Sequence, residues 1–160
     1  MITTTLCYLL KDEPGGGRVL LALKKRGLGT GRWNGVGGKA EPGEEPRAAA
    51  AREAAEEIRV RIDADGLAEA AFLKFRWRGR SERDQDCHVF TARTWSGEPV
   101  ESDEVRPAWY DVRRLPFETM WPDDRHWLPL VLAGKRIKGE FWFDEDGEEL
   151  LNFGVSEIRT

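Results

Sequence analysis

Three glutamates in the first half of the chain, Glu53, Glu56 and Glu57, stand at i, i+3 and i+4. On a helix that spacing puts all three carboxylates on one face. Like charges so placed repel by about a few tenths of a kcal/mol per pair. Arg52, four residues before Glu56, relieves part of that, and a divalent cation relieves more. Mg²⁺ takes oxygen ligands in an octahedron and is held by a few carboxylates together with substrate phosphate oxygens. For an arbitrary helix the commoner meaning of such a face is a solvated acidic surface. Geometry alone leaves both readings open.

The element that carries these glutamates is expected over Arg47–Ile58, a run of alanine, glutamate and arginine behind Pro46, which suits a first helical turn. Ala48, Ala51, Ala55 and Ile58 are expected on the opposite face, where small residues let the helix approach a sheet while the carboxylates point away. Strands are read at Thr3–Leu10, Arg18–Leu23, Leu67–Trp77, Cys87–Thr94 and near Arg106–Asp111. From Gly27 to Gly43 seven glycines predict a loop without regular structure, either slack or laid against a ligand. Asp123 or Asp124 is expected to cap a second helix that runs to Ala133, with Gly134 just past its end. A closing hairpin is read through Phe141–Phe143, Asp146-Gly147 and Leu150–Ile158. The class is α+β, one mixed sheet with helices on its faces, in a single domain over residues 1–160.

The spacing around the glutamates is specific. Gly38 is followed after five residues by Glu44, after seven more by Arg52-Glu53-Ala54-Ala55-Glu56-Glu57, and after two more by Val60. This resembles the Nudix box, which asks for Gly where this chain has Arg59. A residue with a side chain there costs about 1–2 kcal/mol if the helix ends left-handed. The likeness extends through Lys24–Gly27, Gly31–Gly35, Val100–Glu104 and Met120–Asp124, which resemble the animal MutT-homologue group of oxidised purine nucleoside triphosphate diphosphatases.

That resemblance implies an α/β/α sandwich around a mixed sheet. It also implies Mg²⁺-dependent release of pyrophosphate, with Mn²⁺ as a substitute metal, from 8-oxo-dGTP, 2-hydroxy-dATP and related purine triphosphates. Carried over residue by residue, the metal ligands fall on Gly37 through its carbonyl and on Glu53, Glu57 and Glu104, with Glu56 close enough to bind metal or water. Glu53, Glu56, Glu57 and Arg52 form the catalytic set, with Glu53 or Glu57 aiding the attacking water. Lys24, Gly37 and Gly38 are expected in a phosphate-binding loop. The base pocket falls on Asn34, Asp123 and Asp124 as hydrogen-bonding groups, Trp121 as a stacking face, Phe75 and Trp77 as apolar walls, and Thr5 as a minor position. Leu28 stands where the group carries an aromatic residue and Gln85 where it carries an apolar one, so the pocket is expected to lose stacking surface. His88 and His126 are read as structural.

Composition narrows the remaining choices. At 160 residues, 40% apolar and 34% charged, the chain describes a globular domain. A net charge of −4 and no basic stripe argue against a nucleic-acid polymer as partner. No apolar run is long enough to cross a bilayer, and the first residues lack the pattern of a secretory signal. Cys7 and Cys87 fall in apolar strands and make no disulfide framework, so a reducing cytoplasm and a monomer on a small-molecule substrate are expected. Two rivals remain: a Nudix pyrophosphatase for other nucleotides or nucleotide sugars, and a non-catalytic nucleotide-binding module on the same fold.

Overall fold

Apolar residues at both parities along the first two strands mean that each strand must be covered on both sides. The computed structural model, which describes residues 1–159, shows how. Strand β1 (Ile2–Glu13) sends Cys7 and Leu9 into one core and Tyr8 and Leu10 into another. Strand β2 (Gly16–Lys24) divides likewise, Leu20 and Ala22 to the first core and Val19 and Leu21 to the second. The first core is closed by Ala50, Ala54 and Ile58 of helix α1 (Pro46–Ile58), the second by Trp127, Leu128 and Val131 of helix α2 (Asp124–Leu132). The expected α+β sandwich, helix on each side of a mixed sheet, is what forms.

The other strands are β3 (Trp33–Asn34), β4 (Val36–Lys39), β5 (Ala68–Trp77), β6 (Gln85–Ala92), β7 (Val105–Asp111), β8 (Ile137–Phe143) and β9 (Leu150–Glu157). They run in the order β3-β2-β1-β6-β5-β8-β9, with β4 added on β1 and β7 on β2. β1 lies parallel to β6 and β5 to β8; the remaining pairs are antiparallel. β1 changes partner along its length. Its first half takes β4, from Thr4↔Lys39 to Cys7↔Val36, and its second half takes β2. Where β4 and β2 part, the sheet opens, and that opening is the site described below.

Three local expectations need correction. The Gly27–Gly43 stretch is not all loop: Trp33–Asn34 and Val36–Lys39 are strands. Their glycines are needed for close approach, since a Cβ on Gly37 would lie 1.8 Å from the Thr5 carbonyl oxygen. Gly37, Gly38 and Lys24 therefore sit in strands and not in the expected loop. Next, the buried face of α1 is Ala49, Ala50, Ala54, Glu57 and Ile58, while Ala48 and Ala55 are exposed. The packing stripe is rotated because α1 rests on the glycines of β4, so Glu57 turns inward and the three glutamates do not all point away from the sheet. Last, Asp123 is the N-cap of α2 by position but makes no side-chain capping bond. Its carboxylate accepts instead from the Trp127 indole N–H at 2.7 Å, fully buried.

Helix α1 does end left-handed, with the strain borne by Arg59. Arg59 has φ 61° and ψ 29° and is the one non-glycine among the described residues with positive φ. Its N–H donates to the Ala55 carbonyl and the Val60 N–H to the Ala54 carbonyl, which closes the helix.

Candidate active site

A cavity of about 210 Å³ opens between β1, β2, β4 and the start of α2. Its two ends differ in chemistry. At one, Glu57 and the backbone of Gly37 and Gly38 meet Lys24 and Lys39; at the other, Asn34, Trp121, Asp123 and Asp124 meet Phe75, Trp77 and Phe143. Thr5, Leu28 and Gln85 also line it. The expected base-pocket residues are thus brought together with part of the expected metal set.

At the acidic end, the Gly37 N–H donates to Glu57 Oε1 at 2.9 Å, which ties α1 to β4. Glu53 lies so close to the same strand that a Cβ on Gly38 would come 2.7 Å from its Oε1. Burial pushes the Glu57 carboxyl up to about 7, against the Gly37 N–H that favours the charge, and Glu53 and Glu104 add to the rise. Glu53 is raised too, first by burial. An excess of negative charge at this spot is what a cation would relieve. The third and fourth expected ligands are turned elsewhere. Glu56 is more than half exposed and takes Arg52 Nη1 at 3.2 Å; Glu104 takes Arg26 Nη2 at 2.6 Å. Among the described residues no three His, Cys, Asp or Glu side chains converge on one point.

Arg52 is the hub of the box. It grips Glu44 with two bonds, at 2.8 and 2.9 Å, and also reaches Glu53, Glu56 and the Lys39 carbonyl. The pair with Glu44 holds that carboxylate at about 2. Arg52 faces these carboxylates and does not line the cavity. Its visible part is to hold the glutamates in register.

At the other end, Asn34 Oδ1 accepts from the Tyr8 hydroxyl at 3.2 Å and from the Gly35 N–H at 2.8 Å. With its oxygen so occupied, the Asn34 amide N–H₂ is the half left for a ligand. Asp123 and Asp124 are each 2% exposed. Burial lifts Asp123 to about 6, and burial plus the neighbouring Asp123 charge lifts Asp124 well above its ordinary value. Adjacent carboxyls in this state share a proton near neutral pH. Three buried side-chain atoms have no hydrogen-bond partner among the described residues: Thr5 Oγ1, Trp77 Nε1 and Asp124 Oδ2. All three residues line this one cavity.

Against these observations the chain matches the NUDIX domain model over residues 3–131. The chain belongs to the Nudix family. It is a hydrolase of that family, whose members generally act with a divalent metal. It is 48% identical over 144 residues to a zebrafish (Danio rerio) protein named oxidized purine nucleoside triphosphate hydrolase, covering 89% of each. To the mouse (Mus musculus) protein of the same name it is 41% identical over 156 residues, covering 98% of this chain and 95% of the other. A MutT protein from Bacillus halodurans superposes with a TM-score of 0.78 at 23% identity over 97% of each chain, which shows the shared Nudix fold. Among the described residues no helix of this Nudix chain is long and apolar enough to cross a membrane.

The sequence reading missed several residues that shape the site. Arg32 lines the cavity and lays its guanidinium 4.2 Å from the centre of the Trp121 ring. Tyr8 orients Asn34, Trp127 holds Asp123, and Lys39 adds a second cation to the acidic end. Lys39 was in view beside Gly38. Arg32, Tyr8 and Trp127 act through tertiary contacts that no local spacing announces. His88 and His126 do not line the cavity; His88 packs at a tilt against Phe72, and His126 stacks on Phe153.

Proposed function

We propose that this Nudix hydrolase converts oxidised or modified purine nucleoside triphosphates, of the 8-oxo-dGTP and 2-hydroxy-dATP kind, to the monophosphate and pyrophosphate, and so cleanses the nucleotide pool. What carries the reading is one cavity with the Glu57 carboxylate, strand glycines and lysines at one end and a buried carboxyl pair beside Asn34 and Trp121 at the other. The two named vertebrate relatives support the same substrate class.

Glu57 lines the cavity and Glu53 lies beside Gly38, and in this reading they would hold Mg²⁺, or Mn²⁺ in its place, with the Gly37 carbonyl, Glu56 and Glu104 completing the set. When bound, the ion supplies positive charge against the phosphate oxygens and acidifies a water. Glu104 joins only by leaving Arg26. Glu53 or Glu57 takes the proton of the attacking water. Lys24 and Lys39 offset phosphate charge, and Arg52 keeps Glu53 and Glu56 in register. At the base end Asn34 donates, while the Asp123–Asp124 pair, sharing a proton, donates from one carboxyl and accepts at the other. Trp121 offers a stacking face, Phe75 and Trp77 wall the pocket, and Thr5 adds a hydroxyl. In this reading the 160 residues form one catalytic domain that works as a monomer on a small molecule, in the reducing cytoplasm that its free, buried Cys7 and Cys87 suit.

The test is pyrophosphate release from a panel of ordinary and oxidised purine triphosphates and a nucleotide sugar, with Mg²⁺ and with chelator. Highest kcat/KM on the oxidised purines, dependent on Mg²⁺, is expected. Equal or better turnover of the nucleotide sugar would overturn the substrate class.

A further inference from the structure

Trp121 is held in a slot with a definite construction. Two glycines of positive φ flank the ring: a Cβ on Gly29 would lie 3.1 Å from its Nε1 and Cζ2, and one on Gly147 would lie 2.8 Å from its Cζ3. Trp77 meets the ring edge-on at 6.1 Å between centres and 86° between planes, and Phe143 meets it at 5.8 Å. Arg32 covers a face, with its guanidinium carbon 4.2 Å from the ring centre.

Arg32 is itself anchored. Its Nη1 donates to the Gly147 carbonyl and its Nη2 to Glu148 Oε1, both at 3.2 Å. Both acceptors belong to the turn between β8 and β9, which braces itself through Asp144: that carboxylate accepts from the N–H groups of Glu148 and Glu149 at 2.8 and 3.1 Å. At the near end the Arg32 carbonyl accepts from the Lys24 N–H at 3.1 Å. The side chain therefore spans from just before β3, across the face of Trp121, to a turn 115 residues away in sequence. Its side chain is only 19% exposed.

We infer that Arg32 is a positioning residue for the base pocket, whose planar guanidinium sets the Trp121 ring against the β8–β9 turn before a nucleotide enters. This rests on the proposed nucleotide substrate only for its effect on turnover, not for its effect on the ring. A guanidinium can stack flat on an indole while donating a fork of hydrogen bonds beyond its edge. A lysine ammonium keeps the charge but has neither the plane nor the fork.

Arg32→Lys therefore separates stacking from charge. The protein carrying 5-fluorotryptophan at its seven tryptophans is followed by ¹⁹F NMR, with the Trp121 signal assigned by its loss in Trp121→Phe. In the nucleotide-free variant the Trp121 resonance should shift or broaden while that of Trp127, which is wholly buried, stays in place as the folding control. In turnover, KM for a purine triphosphate substrate should rise about 10-fold, with kcat within about 2-fold, because the lost interaction serves ground and transition states alike. An unmoved Trp121 signal, or a wild-type KM, overturns the assignment. Should Arg32→Lys lose the Trp127 signal and hence its fold, Glu148→Ala removes one exposed anchor, and an unmoved Trp121 there overturns it equally. A displaced Trp121 signal with no hydrolysis of any purine triphosphate by the wild type would retire the substrate reading and leave Arg32 in its role. Hydrolysis with an unmoved ring does the reverse.

Discussion

Glu57 is buried to 7% exposure, yet it carries an acid group whose only bonded partner among the described residues is a backbone N–H on β4. Burying a carboxylate this way is unfavourable unless something else uses it. Glu57→Gln keeps the oxygen that accepts from Gly37 and removes the charge, so the fold should survive. Turnover should fall by about 10²-fold or more. A purified, folded variant with more than about a third of wild-type kcat would remove Glu57 from the chemistry. The same reasoning applies to the base end. Asp123 has Trp127 as a fixed donor, whereas Asp124 Oδ2 has no partner among the described residues, so the two carboxyls are not equivalent. Asp123→Asn places an amide N–H₂ or oxygen against the Trp127 N–H, and Asp124→Asn replaces the group free to face a ligand. Each should change the ratio of kcat/KM for 8-oxo-dGTP to that for 2-hydroxy-dATP, by about 5- to 100-fold where a buried partner is left unpaired. A constant ratio with lower overall activity in both would mean that the pair only holds the start of α2.

The elements explain how much of this could be read beforehand. Glu53, Glu56 and Glu57 were legible because a helix repeats every 3.6 residues and the box fixes their spacing. What spacing does not fix is the helix's rotation against the sheet. Alanine all round α1 gives no stripe to orient it, so the close contact with Gly37 and Gly38 decided which glutamate went inside. β3 and β4 escaped notice for a related reason: their glycines read as freedom, while in the fold they are clearance for Thr5 and Glu53. The Asp123-Asp124 pair lines the cavity, but its partner Trp127 sits one turn along α2 and competes with capping. Arg59 is the element-scale test. It holds a left-handed conformation at the end of α1, with no glycine to relieve it. Arg59→Gly should raise the unfolding free energy by up to about 1 kcal/mol and leave kcat/KM unchanged. A lower Tm for the glycine variant would show that the Arg59 side chain contributes more than its backbone strain removes.

Across the whole molecule the buried acids set how stability depends on pH and on metal. Glu57 rises from 4.5 to about 7 and Asp123 from 3.8 to about 6, both first because of burial, and Asp124 moves further in the same direction. In each the folded state binds its proton more tightly than the unfolded chain does. Their contribution to stability is therefore complete below the ordinary carboxylate range and drains away as pH rises through the folded values. For Glu57 alone the loss amounts to about 3 kcal/mol once both states are ionised. Glu44 and Asp111, held at about 2 by Arg52 and Arg113, work in the opposite sense, but theirs is lost only as pH falls below the ordinary carboxylate range. Those ion pairs lie nearer to solvent and are weak. The metal-free protein should accordingly lose Tm between about pH 5 and about pH 8. Mg²⁺ binds the ionised glutamates, so its stabilisation should grow as they deprotonate, following the mass-action gain of a ligand that prefers the folded state. The expected result is a larger rise of Tm on adding Mg²⁺ at about pH 8 than at about pH 5, with most of the difference gone in Glu57→Gln. Differential scanning fluorimetry at the two pH values, with chelator or with Mg²⁺, reads this directly. A metal-free Tm that climbs over this interval, or a Mg²⁺ gain equal at both ends of it, would mean that Glu57 is neither strained by burial nor the group that metal relieves.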